Sequence, residues 1–179
     1  LCNLAQVGRG TRVLVNGAAG GVGHLALQVA KARGAQVTAV ASPARHGFVA
    51  ALGADEIIDY RSLPVERWPG GFDAVLDCVP SLPRRSHGRL LRRGGHYAST
   101  LPTGATFTID PFTNRLGAVR RHAVMLRPDP AAVEEIARYL TTGSLRCEIA
   151  GEFPLGETGR AIELSRTGHV AGKLLIRIP

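Results

Sequence analysis

The stretch VLVNGAAGGVGHLALQVAKARGA, Val13 to Ala35, constrains the fold more than any other part of the chain. An apolar run enters a glycine cluster and a long amphipathic segment follows at once, the order strand, turn, helix. A helix that starts this way turns unpaired N–H groups and the positive end of its dipole toward the loop. Glycines, having no Cβ, let an anion approach that backbone closely. The pattern predicts a diphosphate cradle running through Gly17, Ala19, Gly20, Gly21, Val22 and Gly23, with Gly23 letting the helix sit close to the strands.

Other glycine loops do not fit. No Lys-Ser/Thr follows the cluster, as a triphosphate-binding loop requires, and no G-x-S-x-G occurs. Tyr60, Tyr97 and Tyr139 are followed four residues on by Pro64, Leu101 and Gly143, so the Tyr–Lys spacing of short-chain dehydrogenases is absent. A chance glycine loop on an ordinary α/β domain remains the plain alternative. It leaves the required order of strand, loop and helix unexplained.

Downstream, short apolar runs alternate with amphipathic ones. Strands are expected at 12–16, 36–41, 56–60, 72–79, 96–100 and 123–126. Helices are expected at 21–33, with Val22, Leu25, Ala26, Val29 and Ala30 inward, and at 45–52, 84–91 and 130–140. Residues 61–71, with two prolines and two glycines, read as an exposed loop, and so does the segment holding Pro102, Gly104 and Pro111. This alternation predicts an α/β fold, a doubly wound parallel sheet of the Rossmann type, over residues 1–146. A strand, helix and strand over 147–179 read as a C-terminal appendage.

The formal charge of +8 raises nucleic acid as a partner. Lys31 and Lys173 are the chain's two lysines, and so uniform an arginine bias suits genome composition better than a binding surface. The densest cluster, Arg84, Arg85, Arg89, Arg92 and Arg93, reads as a solvated helix face. No nucleic-acid partner is expected, and no apolar run approaches a membrane span. Three separated cysteines suit neither a disulfide framework nor a zinc ligand pair, and the reading is a reduced, cytoplasmic protein. No metal site is expected, the histidines being scattered along the chain.

The end of the second strand selects the cofactor. In dinucleotide folds an acidic residue about 20 positions past the loop binds the ribose 2′-OH of NAD and repels a 2′-phosphate. No Asp or Glu lies between Thr38 and Val49; Ser42 and Arg45 stand there instead, a hydroxyl and a planar charged fork suited to phosphate. NADPH is the expected cofactor.

The loop GAAGGVGHLALQVAKARGA, together with LGADEIIDYR, FDAVLDCV, RRGGHYAST and FPLGETGRAIELSRTGHVAGKLLIRI, resembles the medium-chain dehydrogenase/reductase superfamily in its zinc-independent quinone oxidoreductase-like branch. That branch reads AAGGVG where zinc alcohol dehydrogenases read GxGGVG, so Ala18 marks the subgroup. The resemblance implies that Arg45 stands where relatives carry a basic residue for the 2′-phosphate and Tyr60 near the adenosine end. It also implies that Val79, Ser99 and Thr100 lie near the nicotinamide ribose. Relatives carry glycine after the valine, whereas this chain has Pro80, which lacks an N–H. Cys78 reads as a small buried hydrophobe.

In such relatives a GroES-like domain precedes the cofactor domain and shares the substrate cleft. This chain opens where that domain would have ended, so the substrate-orienting residues are expected to lie outside it, and no catalytic residue is assigned within it. The implied activity of the intact enzyme is hydride transfer from NADPH to a small quinone, enone or enoyl compound. The tail returns in relatives onto the leading domain, so Ile162, Leu164, Leu174, Ile176 and Ile178 are expected to be unusually exposed or covered by a second copy. Family habit implies a homodimer through the region 107–124. An enoyl reductase domain of a fatty-acid or polyketide-type synthase, and a non-catalytic NADPH-binding module, stay open as alternatives.

Overall fold

The computed structural model describes residues 5–79, 81–101, 103–125 and 129–179; Cys2, Pro80, Pro102 and Leu126 lie outside them. Six parallel strands form one sheet in the order β3-β2-β1-β4-β5-β6. They are β1 (Arg12–Asn16), β2 (Gln36–Ala41), β3 (Glu56–Asp59), β4 (Phe72–Asp77), β5 (Leu91–Ser99) and β6 (Val119–Ala123). The strand order reverses beside β1, which pairs with β2 on one side and β4 on the other. This is the doubly wound arrangement expected from the alternating pattern.

Both faces of the sheet are covered, and for that reason the middles of the central strands, Val13–Val15 and Ala74–Leu76, are continuously apolar rather than alternating. Val13 and Val15 join Leu27, Val37 and Val49 on one side. Leu14, on the other, joins Val40, Trp68, Phe72, Val75 and Leu90.

The first helix, α1, runs Gly23–Ala32. It ends in a Schellman turn: Gly34 at φ +84° donates to Lys31 O and Ala35 N donates to Ala30 O. Its inner face is not the aliphatic one expected. Leu27 and Ala30 are buried, but so are His24 and Gln28, while Val22 is exposed and Leu25, Ala26 and Val29 are half-buried. The two polar residues face inward because each finds a hydrogen-bond partner in the C-terminal segment.

Several other expectations are corrected. The helix at 45–52 is a 3₁₀ turn, Pro43–Arg45, followed by α2, His46–Ala51. The exposed loop at 61–71 holds a 3₁₀ turn at Val65–Arg67 and buries Trp68, whose indole N–H donates to Leu63 O at 2.8 Å. After α3 (Arg84–Leu90), β5 begins at Leu91 rather than beyond the glycines. Gly94, at φ +80°, is accommodated inside the strand, and the register with β4 slips between Phe72 and Ala74.

Arg92 and Arg93 are therefore strand residues. All five arginines of the cluster are exposed, as expected, and three of them also make contacts: Arg84 pairs with Asp110, Arg92 with Asp73, and Arg89 donates to Trp68 O and Val65 O.

The segment expected as a loop after β5 carries two short helices, α4 (Gly104–Thr108) and α5 (Asp110–Leu116). The last strand lies at Val119–Ala123, N-terminal to its expected place, because its basic sequence VRRHA hides its strand character. Helix α6 (Pro130–Thr141) follows, its N-terminus capped by Asp129 Oδ1, which accepts from Ala131 N and Ala132 N.

The tail forms its own two-stranded parallel sheet, β7 (Ile149–Pro154) and β8 (Lys173–Arg177), joined through α7 (Thr158–Arg166). Ile162, Leu164, Leu175 and Ile178 are exposed, while Leu174 and Ile176 are half-buried. No described helix is long and apolar enough to cross a membrane.

Candidate functional site

A cleft of about 480 Å³ opens at the carboxyl ends of the strands where the order reverses. Its lining brings together Gly17, Ala19, Gly20, Ser42, Arg45, Tyr60 and Val79 from the sequence-derived set. Gly21, Val22 and Gly23 continue from the loop into α1, while Ser99 ends β5 and Thr100 follows it; these five do not line the cleft.

The glycine loop is tight for steric reasons. Gly17 sits at φ +73°, and a Cβ there would lie 2.6 Å from Val79 Cγ2. A Cβ on Gly23 would fall 2.2 Å from Gly17 O, so the absence of a side chain is what lets α1 rest on the loop. The N-terminus of α1 has no side-chain cap and no acidic residue in its first turn. Its positive end is thus uncompensated by this chain and aimed toward the loop. Such a cradle fits a diphosphate.

The rim at the end of β2 is basic. Ser42, Arg45, Tyr60 and Arg61 line the cleft there, with the Arg61 guanidinium 5.9 Å from the Tyr60 ring centroid. Asp59 is the nearby carboxylate; it ends β3, accepts from Arg61 N at 2.9 Å, and is held below its ordinary pKa chiefly by that bond. Arg45 Nη2 donates to His169 O at 2.7 Å. That bond fastens the tail segment Gly168–Val170 to the rim, where it becomes a wall of the cleft.

The sequence reading missed two polar assemblies. The first couples the loop to the tail. His24, fully buried, has Nδ1 2.9 Å from Gly20 O, and its Nε2 accepts from Glu148 N at 3.3 Å. The Nδ1–H tautomer satisfies both contacts. Gln28 bonds Arg146 twice, Nε2 to the carbonyl and Oε1 to the amide, each at 2.9 Å. In sequence both residues look like the polar face of an amphipathic helix, and only the docking of the tail makes that face internal.

The second assembly lies beneath the cleft. Asp77, with no exposed surface, accepts from Asn16 Nδ2 at 2.8 Å, Tyr97 Oη at 2.7 Å and Val79 N at 3.2 Å. Asn16 Nδ2 also lies 3.0 Å from Ser81 Oγ. Burial pushes the Asp77 pKa up and the hydrogen bonds partly offset that shift. Thr100 N donates to Asp77 O, which ties the end of β5 to the same place. The Cys78 thiol is pushed up to about 12 by burial and by Asp77, which suits an inert thiol.

The structure also pairs two histidines that are distant in sequence. His96 Nδ1 and His122 Nε2 are 3.1 Å apart on β5 and β6. Among the described residues no group of three or more His, Cys, Asp or Glu is arranged to hold a metal.

A six-stranded doubly wound sheet with a glycine loop at its reversal point defines the dinucleotide-binding class of α/β folds. The zinc-binding dehydrogenase family model matches residues 52–176, and the chain belongs to that family, within the medium-chain dehydrogenase/reductases. It is 33% identical over 194 residues to the medium chain reductase PydE of Acremonium sp., covering 97% of this chain and 53% of that protein. Its fold matches a quinone oxidoreductase from Coxiella burnetii with TM-score 0.88 at 32% identity, over 99% of this chain and 56% of that one. The quinone oxidoreductase from Thermus thermophilus, whose structure was also determined in complex with NADPH, matches with TM-score 0.78 at 32% identity, over 99% and 60%. The chain spans about half the length of the curated relatives it matches.

Proposed function

We propose that this chain is the NADPH-binding part of a quinone oxidoreductase-like reductase that acts on a small quinone or activated double bond. The observation that carries the reading is one cleft with a side-chain-free cradle on its floor and a rim of Ser42, Arg45, Arg61 and His169 at the end of β2. In this reading the adenosine 2′-phosphate lies against Arg45 and Ser42, with Tyr60 beside the adenine. The diphosphate lies on the loop from Gly17 to Gly23. Val79, with Ser99 and Thr100 behind it, borders the nicotinamide end.

The bound cofactor would supply the hydride. The chain's own part is to bind, orient and shield. Gly17 and Gly23 hold the loop against the strands, Arg45 opposes charge at the 2′ position, and Asp77 fixes the Val79 amide. Residues 1–146 are read as the cofactor unit and 147–179 as the segment that closes over it.

Fluorescence titration with NADPH and NADH tests the reading, paired with a quinone reduction assay. NADPH should bind at least about tenfold more tightly, the worth of one charge-assisted contact. Equal affinities, or a preference for NADH, would remove the role given to Ser42 and Arg45.

A further inference from the structure

We infer that His24 is a positioning residue for the cofactor's diphosphate: from inside α1 it holds the Gly20–Gly21 peptide in the orientation that offers the Gly21 amide to the anion. This role rests on the proposed cofactor site and adds to it a fully buried side chain that acts through the loop rather than on the ligand.

The peptide joining Gly20 to Gly21 is the point of the cradle most able to change. It stands between two glycines, so no Cβ resists its flipping. In a trans peptide the carbonyl and the following N–H point in opposite directions. A flip would therefore aim a carbonyl oxygen where the amide stood, and a diphosphate would meet a lone pair in place of a donor. Gly20 N–H is already taken by Gly17 O at 3.1 Å, whereas the Gly21 and Val22 amides have no backbone acceptor among the described residues. Those two are the donors the loop holds ready for a ligand.

One residue fixes the carbonyl twice. Gly20 O accepts from His24 N at 3.1 Å and lies 2.9 Å from His24 Nδ1. The second contact is a hydrogen bond only if Nδ1 carries the ring proton. Glu148 N, which can only donate, lies 3.3 Å from Nε2 and keeps that nitrogen bare. The backbone of the C-terminal segment thus sets the tautomer that faces the loop. With no exposed surface, the ring exchanges neither contact for water.

The segment has other anchors. Gln28 bonds the Arg146 backbone through both ends of its carboxamide, and Gly172 N donates to Ala19 O at 2.9 Å. What His24 adds to them is the hold on the Gly20 carbonyl.

Two near-isosteres separate the two contacts of the ring. His24→Asn keeps an N–H donor at the place of Nδ1 and loses the acceptor for Glu148 N. His24→Gln keeps a polar atom at the place of Nε2 and loses the donor to Gly20 O. On the full chain, His24→Gln should lower NADPH affinity about tenfold, the worth of one charge-assisted hydrogen bond, while His24→Asn should retain most of it. Adenosine 2′-monophosphate, which reaches only the rim, should bind both variants as it binds the unaltered chain. The reverse order, with the Asn variant weakened and the Gln variant intact, would assign His24 to docking the tail and overturn the positioning role. Equal losses, or no loss in either variant, would overturn it too, as would a matching loss of 2′-monophosphate binding, the mark of a displaced rim. Nitrogen-15 NMR of the unaltered chain needs no variant to fold: the proton should be found on Nδ1 of His24, and a proton on Nε2 would equally overturn the role. Absence of saturable NADPH binding by the unaltered chain would instead overturn the cofactor site on which it rests.

Discussion

Asn16 and Asp77, 61 residues apart in sequence, are joined by a buried hydrogen bond, Nδ2 to Oδ1 at 2.8 Å, at the ends of the neighbouring strands β1 and β4. This pair is the last in the register of the two strands, and Asn16 lines the cleft. With Tyr97 Oη and Val79 N also donating to Asp77, one carboxylate fixes the turn bordering the cleft. Removing it leaves three donors without their acceptor.

Asp77→Ala should therefore cost about 3 kcal/mol or more in urea unfolding at pH 7, and Asp77→Asn clearly less. Burial raises the Asp77 pKa, so the protonated carboxyl is the form the fold favours. Its favourable contribution is full below the unfolded-state pKa and is lost as pH rises through the folded one. Against Asp77→Asn, the unaltered protein should gain stability as pH is lowered through the carboxylate range. A difference independent of pH would contradict the burial argument.

His87 has the opposite sign. It stacks on Tyr97 with centroids 3.7 Å apart and lies 3.2 Å from Arg121 Nε, and its Nε2 is buried without a partner among the described residues. Burial first, then the charges of Arg121 and Arg84, push its pKa down to about 4, with Asp110 opposing. The neutral imidazole stabilises the fold above the unfolded-state pKa, and this contribution is lost as pH falls from about 6.5 toward 4, in full about 3 kcal/mol. His87→Phe, which keeps the ring stack, should flatten unfolding free energy across that window. An unchanged pH profile would show that another group governs acid sensitivity.

Gly23→Ala places a methyl 2.2 Å from Gly17 O and 2.8 Å from Ala18 Cα, both backbone atoms. The helix must move off the loop, at a cost of about 2–3 kcal/mol typical of overpacking. NADPH affinity should fall by more than the change in stability explains, since the amides move with the helix. Thermal unfolding beside a binding titration separates the two effects. Gly47, where a Cβ meets nothing within 4 Å, provides the control.

Arg45→Met should weaken NADPH binding by about tenfold or more and NADH binding far less, as expected for loss of a charge-assisted contact to the 2′-phosphate. Because Arg45 also holds His169 O, a small loss shared by both cofactors is expected from a loosened segment Gly168–Val170. Equal losses would assign Arg45 to holding the segment alone.

The local order of elements was legible from the chain because it is written in local terms. Apolar runs bounded by glycine mark β1, β2 and β4, and the loop between β1 and α1 carries its own stereochemical reason for each glycine. Ser42, Arg45 and Tyr60 could be placed because parallel strands deliver their carboxyl ends to one edge of the sheet. Other features depended on neighbours absent from the local sequence. The bulge at Gly94 hid the start of β5, and the basic run Val119–Ala123 reads as a strand only when paired with Gly95–Ser99.

What the amino-acid order determined by itself is the doubly wound class and the diphosphate-type loop, since both follow from hydrophobic period and the backbone freedom of glycine. Only the tertiary structure decided that His24 and Gln28 face inward, that Asp77 joins Asn16, Tyr97 and Val79, and that the tail reaches the loop through Gly172. Those depend on contacts spanning tens to more than a hundred residues. A polar side chain carries no local sign of whether water or a distant backbone will be its partner.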